Sequence, residues 1–447
     1  MQMLDRIFHL REKGTTVPRE VVAGLTTFAA MAYILAVNPS ILRAAGMPEP
    51  ALITATALGA AFATFLMAGL TNFPLAMAPG MGINAFFAFT LCVGMGIPWQ
   101  SALGLVFING FIFLLLSVTG VREKILNAIP YELKIAISAG IGLFIAFIGL
   151  QNGGLIVANP ATLVTMGDLT QPSVALFAGG ILLACILVAR KVPGAIILSM
   201  LVITLAGFLI PDSQGQKITH APTSLVSWPA SLEPLFLHLN FDVLIREHIR
   251  AIPILLTLLL VDMFDNIGTL IGVTRKAGIM DKNGNVPRVG RALVADSIAA
   301  IFSSLIGTST VVSYIESATG VQAGGRTGLT AVVTGLCFLL ALFLTPLILM
   351  IPDVAVAPAL VVVGIMMFEG VVDLDFQRFE IAAPAALTIL TMPLAFSIST
   401  GIGVGLIALA ALSLGTGRAR SISPIAYLLA AAFLLHFLEP LLVRHWK

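Results

Sequence analysis

Three carboxylates stand in stretches of the sequence that are otherwise apolar. Asp262 and Asp265 lie in Leu260-Val-Asp-Met-Phe-Asp-Asn-Ile-Gly-Thr269, and Glu316 follows a β-branched run. Residues three apart share one helix face, so Asp262 and Asp265 would point together. A charged side chain inside a membrane costs at least ~2.5 kcal/mol and usually marks a substrate or proton path. Because no basic residue lies in a neighbouring apolar run, we expect these carboxyl groups to share protons with a ligand or to be protonated for part of a cycle.

Other interpretations of these acids are weaker. Asp262 and Asp265 could form helix-packing hydrogen bonds, and Asp296 in the next apolar run is explained equally well by packing. A pair spaced Asp-x-x-Asp could also hold Mg²⁺, as in an intramembrane prenyl-transfer enzyme. That chemistry needs further aspartates and basic ligands for a diphosphate at the membrane face, and the sequence lacks them.

The composition indicates that these acids belong to a chain embedded in a lipid bilayer. Of 447 residues, 58% are apolar and 10% are charged, whereas a soluble domain carries about a quarter charged residues. Pro50–Val121 and 381–417 contain no Asp, Glu, Lys or Arg. Runs of this length predict several bilayer spans. The composition excludes a nucleic-acid binder, a secreted disulfide scaffold and a disordered chain. The histidines and cysteines lack metal-ligand spacing, so we expect neither a metal nor a cofactor.

The hydropathy pattern predicts an all-α polytopic membrane protein with fourteen transmembrane segments. A further apolar stretch at 424–443 would either span the membrane or lie on its surface. The predicted spans are 21–38, 51–69, a broken segment at 74–95, 98–120, 134–151, 172–189, 193–211, 252–273, 292–307, a broken segment at 309–321, 328–351, 355–371, 381–399 and 401–417.

The distribution of basic residues predicts a cytoplasmic N-terminus. With fourteen crossings, eighteen Lys and Arg residues fall in cytoplasmic segments, and Arg444 and Lys447 are left unassigned. Four fall on the opposite side: Arg43, Lys217, Arg246 and Arg250. This asymmetry follows the positive-inside rule, and it requires both broken segments to cross. The long polar connection near 211–250 then divides the spans into two halves of seven. An odd number in each half gives the halves opposite orientation, as in inverted-repeat transporters.

Each half has an interruption in its third span. The first is Pro74-Leu-Ala-Met-Ala-Pro-Gly-Met-Gly-Ile-Asn84 and the second is Gly307-Thr-Ser-Thr-Val-Val-Ser-Tyr-Ile-Glu316. Proline and glycine disfavour a continuous helix, so each segment predicts an extended piece followed by a half-helix, beginning near Asn84 and near Glu316. Irregular backbone at membrane depth is tolerated where it is buried or lines a cavity. Broken spans at matching positions indicate a binding site near the bilayer midplane. Phe87, in the aromatic run that follows the first break, is a candidate platform for a flat ring.

Four motifs in order carry a resemblance to a known family. They are Gly14-Thr-Thr-Val-Pro-Arg-Glu-Val-Val-Ala-Gly-Leu-Thr-Thr-Phe28, Asn84-Ala-Phe-Phe-Ala-Phe89, Phe264-Asp-Asn-Ile-Gly-Thr269, and Tyr314-Ile-Glu-Ser-Ala-Thr-Gly320 with Gly324-Gly-Arg-Thr-Gly-Leu-Thr330. From about Leu4 to Arg420 the chain resembles the nucleobase:cation symporter-2 family in its adenine/guanine/hypoxanthine (AzgA-like) branch.

The resemblance implies a seven-plus-seven inverted repeat with two domains. Spans 1–4 and 8–11 would form a core domain, and spans 5–7 and 12–14 a gate domain. The implied boundaries are 1–121 and 251–351 for the core, 122–211 and 352–417 for the gate, 212–250 for an extracytoplasmic connection, and 418–447 for a C-terminal tail.

The resemblance also implies the site. Asp262, Asp265 and Glu316 would bind the polar edge of a purine base and couple it to protons. Asn84, the backbone beside Phe87, and Ser317 would complete the pocket, and Thr27 would approach from the first span. Related uracil and xanthine carriers place histidine near Thr27 and Thr269, and this chain does not.

The sequence therefore predicts a proton-driven importer of purine bases in the cell membrane, and not an enzyme. Its expected partners are the purine base, the proton, the lipid bilayer and, as an open alternative, a second copy in a homodimer. A carrier of another small planar or anionic solute with the same fold is the alternative function. A site for an anion would need cationic side chains at the positions where this chain has acids. The preferred purine, and sodium in place of the proton, stay open.

Overall fold

A computed structural model of the chain describes residues 2–119, 129–222, 224–246, 248–279 and 286–444. Within these ranges only the backbone is described at 2, 248–250, 264, 265, 267, 268, 271, 272, 275, 276, 421 and 439–444.

The first half of the chain contains nine helices and three strands within the described ranges. Pro50 lies in the first turn of α4, where proline is favourable, and Asn72 ends this helix with a left-handed backbone conformation at φ 59°. The elements are α1 Gln2–Phe8, α2 Val17–Met31, α3 Ile34–Arg43, α4 Glu49–Thr71, β1 Met77–Pro79, α5 Met81–Ala85 continued by a π-helix Phe86–Gly94, α6 Trp99–Thr119, α7 Tyr131–Asn152, β2 Ile156–Asn159, β3 Leu163–Met166, α8 Pro172–Ala189 and α9 Ala195–Ala206.

The second half, after the long connection, again has a strand followed by a short helix. Its elements are α10 Asp242–Arg246, α11 His248–Lys276, α12 Val289–Ile306, β4 Val311–Ser313, α13 Ser317–Gln322, α14 Gly328–Ala341 with a 3₁₀ turn Leu342–Leu344, α15 Thr345–Leu349, α16 Asp353–Phe368 with a 3₁₀ turn Glu369–Asp373, α17 Phe379–Leu394, α18 Ile398–Gly415, a 3₁₀ turn Ala419–Ser421 and α19 Pro424–Arg444.

Each of the fourteen predicted spans overlaps one or more helices, and in the two broken spans a strand precedes a short helix; the first span, predicted as continuous over 21–38, is divided between α2 and α3. In the described part of the chain, nine helical segments are long and apolar enough to cross a bilayer. The two broken spans are confirmed, because β1 precedes α5 and β4 precedes α13. That all fourteen cross the membrane stays a prediction.

The hairpin after α7 was not predicted, whereas the C-terminal helix was. Strands β2 and β3 form an antiparallel hairpin between α7 and α8, with Ile156 opposite Met166. The C-terminal helix α19 packs against α18 and α11, and its Phe433 is fully buried against Gly403. Its packing on the bundle is therefore extensive, whichever way it meets the lipid.

The helices pack in two sets. In one set, α4 contacts α3, α12 and α14, and α2 contacts α13 and α14, while α6 packs on α12. In the other, α7 contacts α16 and α17, α8 contacts α9 and α16, and α17 packs on α18. The predicted boundary at residues 121 and 122 lies outside the described residues.

A buried carboxylate joins the start of the first span to the start of α14. Glu20 is fully buried in α2, and its Oε1 accepts the backbone N–H of Arg326 at 2.9 Å. Its Oε2 accepts the N–H and hydroxyl of Thr327 at 3.3 and 2.9 Å, and those of Thr330 at 3.1 and 2.6 Å. These donors surround the N-terminus of α14, where a negative charge is stabilising.

We expect Glu20→Gln to destabilise the protein by about 1–3 kcal/mol, because an amide cannot accept from all these donors and leaves at least one of them unsatisfied. Thermal unfolding of the purified protein in detergent measures the change. Glu12→Gln is the matched control, since the Glu12 side chain is 71% exposed. An unfolding temperature unchanged in Glu20→Gln would contradict this role.

Candidate functional site

The two broken spans are joined by a short antiparallel ladder. Met77 lies opposite Ser313, and Pro79 lies opposite Val311. The Gly80 N–H donates to the Thr310 carbonyl at 3.0 Å, which extends the ladder at one end. At the other end the Tyr314 N–H donates to the Ala76 carbonyl, also at 3.0 Å. The strands are buried, so this pairing satisfies backbone groups that water does not reach.

Side chains brace the same ladder. The Thr64 hydroxyl accepts the Met77 N–H at 2.9 Å and donates to the Met77 carbonyl at 3.1 Å. The Tyr314 hydroxyl donates to the Pro79 carbonyl at 2.6 Å. Ser317, which we predicted as a ligand contact, accepts the Ala76 N–H at 3.0 Å with its hydroxyl. In this structure Ser317 therefore holds the first extended piece in place.

Glu316 lies directly before α13 and is partly exposed. Its Oε1 accepts a hydrogen bond from the Tyr33 hydroxyl at 2.6 Å. Tyr33 is buried, and it stands in the turn that separates α2 from α3. The first span is thus interrupted beside the acid of the tenth. Sequence reasoning missed Tyr33, although a tyrosine within an apolar span was a visible signal.

Asn84 is fully buried in α5. The Ser309 hydroxyl, just before the second strand, donates to Asn84 Oδ1. Asn84 Nδ2 has no hydrogen-bond partner in the part of the chain that the structure describes. The amide thus keeps donor capacity beside the ladder. Phe87 follows in the π-helical turn, a geometry found often at functional sites, and it is fully buried.

Thr27, which we predicted as a base contact, lies where the first span meets the second short helix. It is buried in α2, and its hydroxyl lies against Gly320 of α13, where any added Cβ would collide with it. Its hydroxyl has no hydrogen-bond partner in the described ranges. Thr27 therefore packs the first span against the second short helix.

Helix α11 brings the eighth-span acids to this region. It contacts α5, β4 and α13. Asp262 is 1% exposed within it. The backbone of Asp265 continues the same helix, and its side chain lies outside the described residues. The structure therefore places Asp262 on the helix that touches both breaks.

Helix α5 contacts α3 of the first helix set and α7 of the second, so the two sets meet at the first break. A Cβ added to Gly82 would lie 2.9 Å from Ile141 Cγ2 on α7 and 3.7 Å from Val261 Cγ1 on α11. Gly82 thus lets α7 pack directly on α5. The site lies where one helix set touches the other.

Charge at the site is acidic. Among the described residues, no group of three or more His, Cys, Asp and Glu side chains is placed to hold a metal ion. The arrangement can accept hydrogen bonds at Glu316, donate them from Asn84, and take up protons at the carboxyl groups.

Comparisons with known proteins agree on the class. A profile of the xanthine/uracil permease family, described as a permease family, matches residues 18–404. An adenine permease of Escherichia coli K12, AdeP, is 44% identical over 97% of this chain and 95% of its own length. A guanine/hypoxanthine permease of Bacillus subtilis, PbuG, is 44% identical over 97% of this chain and 99% of its own.

Solved structures share the fold at low identity. The transmembrane domain of the cyanobacterial bicarbonate transporter BicA superposes with a TM-score of 0.62 at 17% identity, covering 87% of this chain and 97% of that one. The structure of SLC26A9 superposes with a TM-score of 0.61 at 12% identity, and the match covers 90% of this chain and 66% of that one.

The described apolar helices, the family profile and the relatives named permeases define a multi-pass membrane transporter and not an enzyme. The profile match and the full-length relatives then fix the family. The chain belongs to the nucleobase:cation symporter-2 family, as its sequence motifs predicted.

Proposed function

We propose that this protein imports purine nucleobases (adenine, guanine or hypoxanthine) across the cytoplasmic membrane by proton symport. The observation that carries the proposal is the partly exposed Glu316 carboxylate, held by Tyr33 beside the paired breaks. Full-length relatives at 44% identity that are named adenine and guanine/hypoxanthine permeases support the substrate class.

A purine base suits these groups chemically. Its edge carries N–H donors and ring-nitrogen acceptors in one plane. Glu316 accepts from the donors, and the Nδ2 group of Asn84 donates to an acceptor. Stacking on Phe87 contributes ~1–3 kcal/mol if the ring becomes accessible when the two helix sets separate. Carboxyl groups such as Glu316 suit a neutral base better than an anion, which disfavours a bicarbonate-like solute.

Proton coupling follows from the carboxyl groups. Asp262, Asp265 and Glu316 are the candidate proton carriers, and no cofactor is needed because the proton gradient supplies the driving force. If the base binds to only one protonation state of these carboxyl groups, the loaded and the empty core differ in charge when the core moves against the gate. Transport of the base is then linked to transport of a proton.

Alternating access would be movement of a core, spans 1–4 and 8–11, against a gate, spans 5–7 and 12–14. An ion pair joins the two at the predicted outer face. Arg43, at the end of α3, contacts both carboxylate oxygens of Asp353 at 2.8 Å, where α16 begins. Arg43 also contacts Glu49 of its own set at 2.9 Å. Opening to the outside would break the Arg43–Asp353 contact.

The substrate class is tested by uptake of radiolabelled hypoxanthine into cells that lack their own purine carriers. Competition by purines but not pyrimidines, and loss of accumulation with a protonophore, are the expected results. Uptake that no purine inhibits would refute the substrate class. Accumulation that persists with the protonophore in sodium-free medium would refute proton coupling.

We expect Glu316→Gln to abolish concentrative uptake, because an amide does not ionise near neutral pH and replaces one accepting oxygen by a donor. Initial rates and steady-state accumulation are compared at equal membrane expression. Glu12→Gln serves as the surface control. Wild-type accumulation by Glu316→Gln would remove this residue from the mechanism.

We expect cross-linking between positions 43 and 353 to stop transport. Arg43→Cys/Asp353→Cys, made in a chain with Cys92, Cys185 and Cys337 replaced by Ser, is treated with a short bifunctional thiol reagent. The matched control, Arg43→Cys/Glu49→Cys, links two positions of the same helix set and should leave uptake intact. Undiminished uptake after complete 43–353 cross-linking would mean that this contact does not open during transport.

A further inference from the structure

A groove lies at the predicted cytoplasmic end of α4, away from the paired breaks. It consists of two neighbouring cavities of about 250 and 300 Å³, which share Gly69, Leu70 and Arg291. Space is left beside its glycines, because a Cβ added to Gly69 or to Gly290 would meet no atom within 4 Å. Side chains of α1, α4, α6, α12 and α14 line the rest of the groove: Ile7, Phe8, Phe65, Ser117, Val294 and Val332.

The groove combines an apolar part and a basic part at the level where predicted spans end. Phe65 lies within the predicted second span, and Val332 lies within the eleventh. Arg291 directly precedes the ninth span. Phe65 and Val332 are therefore at the depth of lipid acyl chains, and the Arg291 guanidinium is at the level of lipid headgroups.

Two arginines give the groove a positive charge. Arg288 and Arg291 are exposed, and neither forms an ion pair within the described ranges. Arg288 donates from Nη1 to the Thr71 carbonyl at 3.0 Å, which holds its guanidinium beside the end of α4. A guanidinium has five N–H donors, so most of them are left for a ligand.

Helix α1 forms one side of the groove. Asn72 Nδ2 donates to the Phe8 carbonyl at 2.9 Å and ties α1 to the end of α4. Met3 and Ile7, four residues apart on α1, are exposed, as in a helix that lies in the membrane interface. The acids of this segment have basic partners of their own: Asp5 contacts Arg11 at 3.4 Å, and Glu12 contacts His9 at 3.6 Å.

We propose that this groove binds an anionic phospholipid of the cytoplasmic leaflet. The phosphodiester oxygens accept hydrogen bonds from Arg288 and Arg291, a pairing that the guanidinium geometry favours. Part of an acyl chain lies along Phe65 and Val332. Basic pockets between membrane helices on the cytoplasmic side are suited to such headgroups. A soluble phosphate would use the arginines but would gain nothing from the apolar part of the groove.

Native mass spectrometry of the purified protein tests the charge. It measures binding of the first phosphatidylglycerol and the first phosphatidylcholine molecule with identical acyl chains. We expect the wild type to bind phosphatidylglycerol more tightly. Arg291→Gln should weaken phosphatidylglycerol binding about fivefold, as the loss of one arginine near a membrane surface predicts, and should leave phosphatidylcholine binding unchanged. Arg190→Gln is the matched control, because Arg190 is also exposed but follows α8, outside the groove.

Gly69→Leu tests the groove at constant charge. Its side chain fills the space beside α4 without meeting another atom at Cβ, so the fold is kept. We expect this variant to lose affinity for phosphatidylglycerol at least as strongly as Arg291→Gln. Gly179→Leu is the matched control, since Gly179 on α8 also has no atom within 4 Å of an added Cβ. It should bind phosphatidylglycerol as the wild type does.

Three results would overturn the proposal. The first is a wild-type protein that binds both lipids equally. The second is a Gly69→Leu variant with wild-type affinity for phosphatidylglycerol, which would mean that surface charge acts without the groove. The third is complete displacement of phosphatidylglycerol by millimolar inorganic phosphate, which would make this a site for a soluble anion. Each result is independent of whether the protein carries purines.

Discussion

Unpaired backbone in an apolar interior is the constraint on which the rest of this structure depends. Each broken span leaves N–H and C=O groups without helical partners, and each unsatisfied group costs several kcal/mol in lipid. Neither half can supply the missing partners alone. The ladder between β1 and β4, with Thr64 on its flank, satisfies both breaks at once. Asn84 and Glu316 are therefore carried on a scaffold that exists only when both halves are present.

The local signals in the sequence were sufficient to predict that the third span of each half is broken, but not the break between α2 and α3 in the first span. Proline and glycine around Pro79, and β-branched residues around Val311, act over a few residues and need no knowledge of the fold. The start of the first short helix was placed near Asn84, whereas α5 begins at Met81. The bond from Gly80 to Thr310 ends the strand there, and no local pattern contains that contact. The β2–β3 hairpin was missed because two four-residue strands give little periodicity.

The residues of the site were predictable by type but not by partner. An acid in an apolar run is conspicuous, so Glu316 and Asp262 could be identified. The partner of Glu316, Tyr33, is 283 residues away, and the donor to Glu20 at Arg326 is 306 residues away. Which helix faces meet across such distances depends on packing. For the same reason, no local pattern shows that Thr27 lies against Gly320. Identity does not separate the adenine from the guanine relatives, since both stand at 44%.

The ladder also places a demand on biosynthesis. The Ala76 N–H and the Ser317 hydroxyl that accepts it are 241 residues apart in the chain. At typical translation rates, roughly 10 to 50 s pass between the emergence of the first strand and that of its partner. Throughout that interval the first break has no ladder to complete it. Either the insertion machinery must shelter this segment, or it must enter the bilayer late, after the second half has been made. The order of assembly is thus set by the same bonds that hold the finished site.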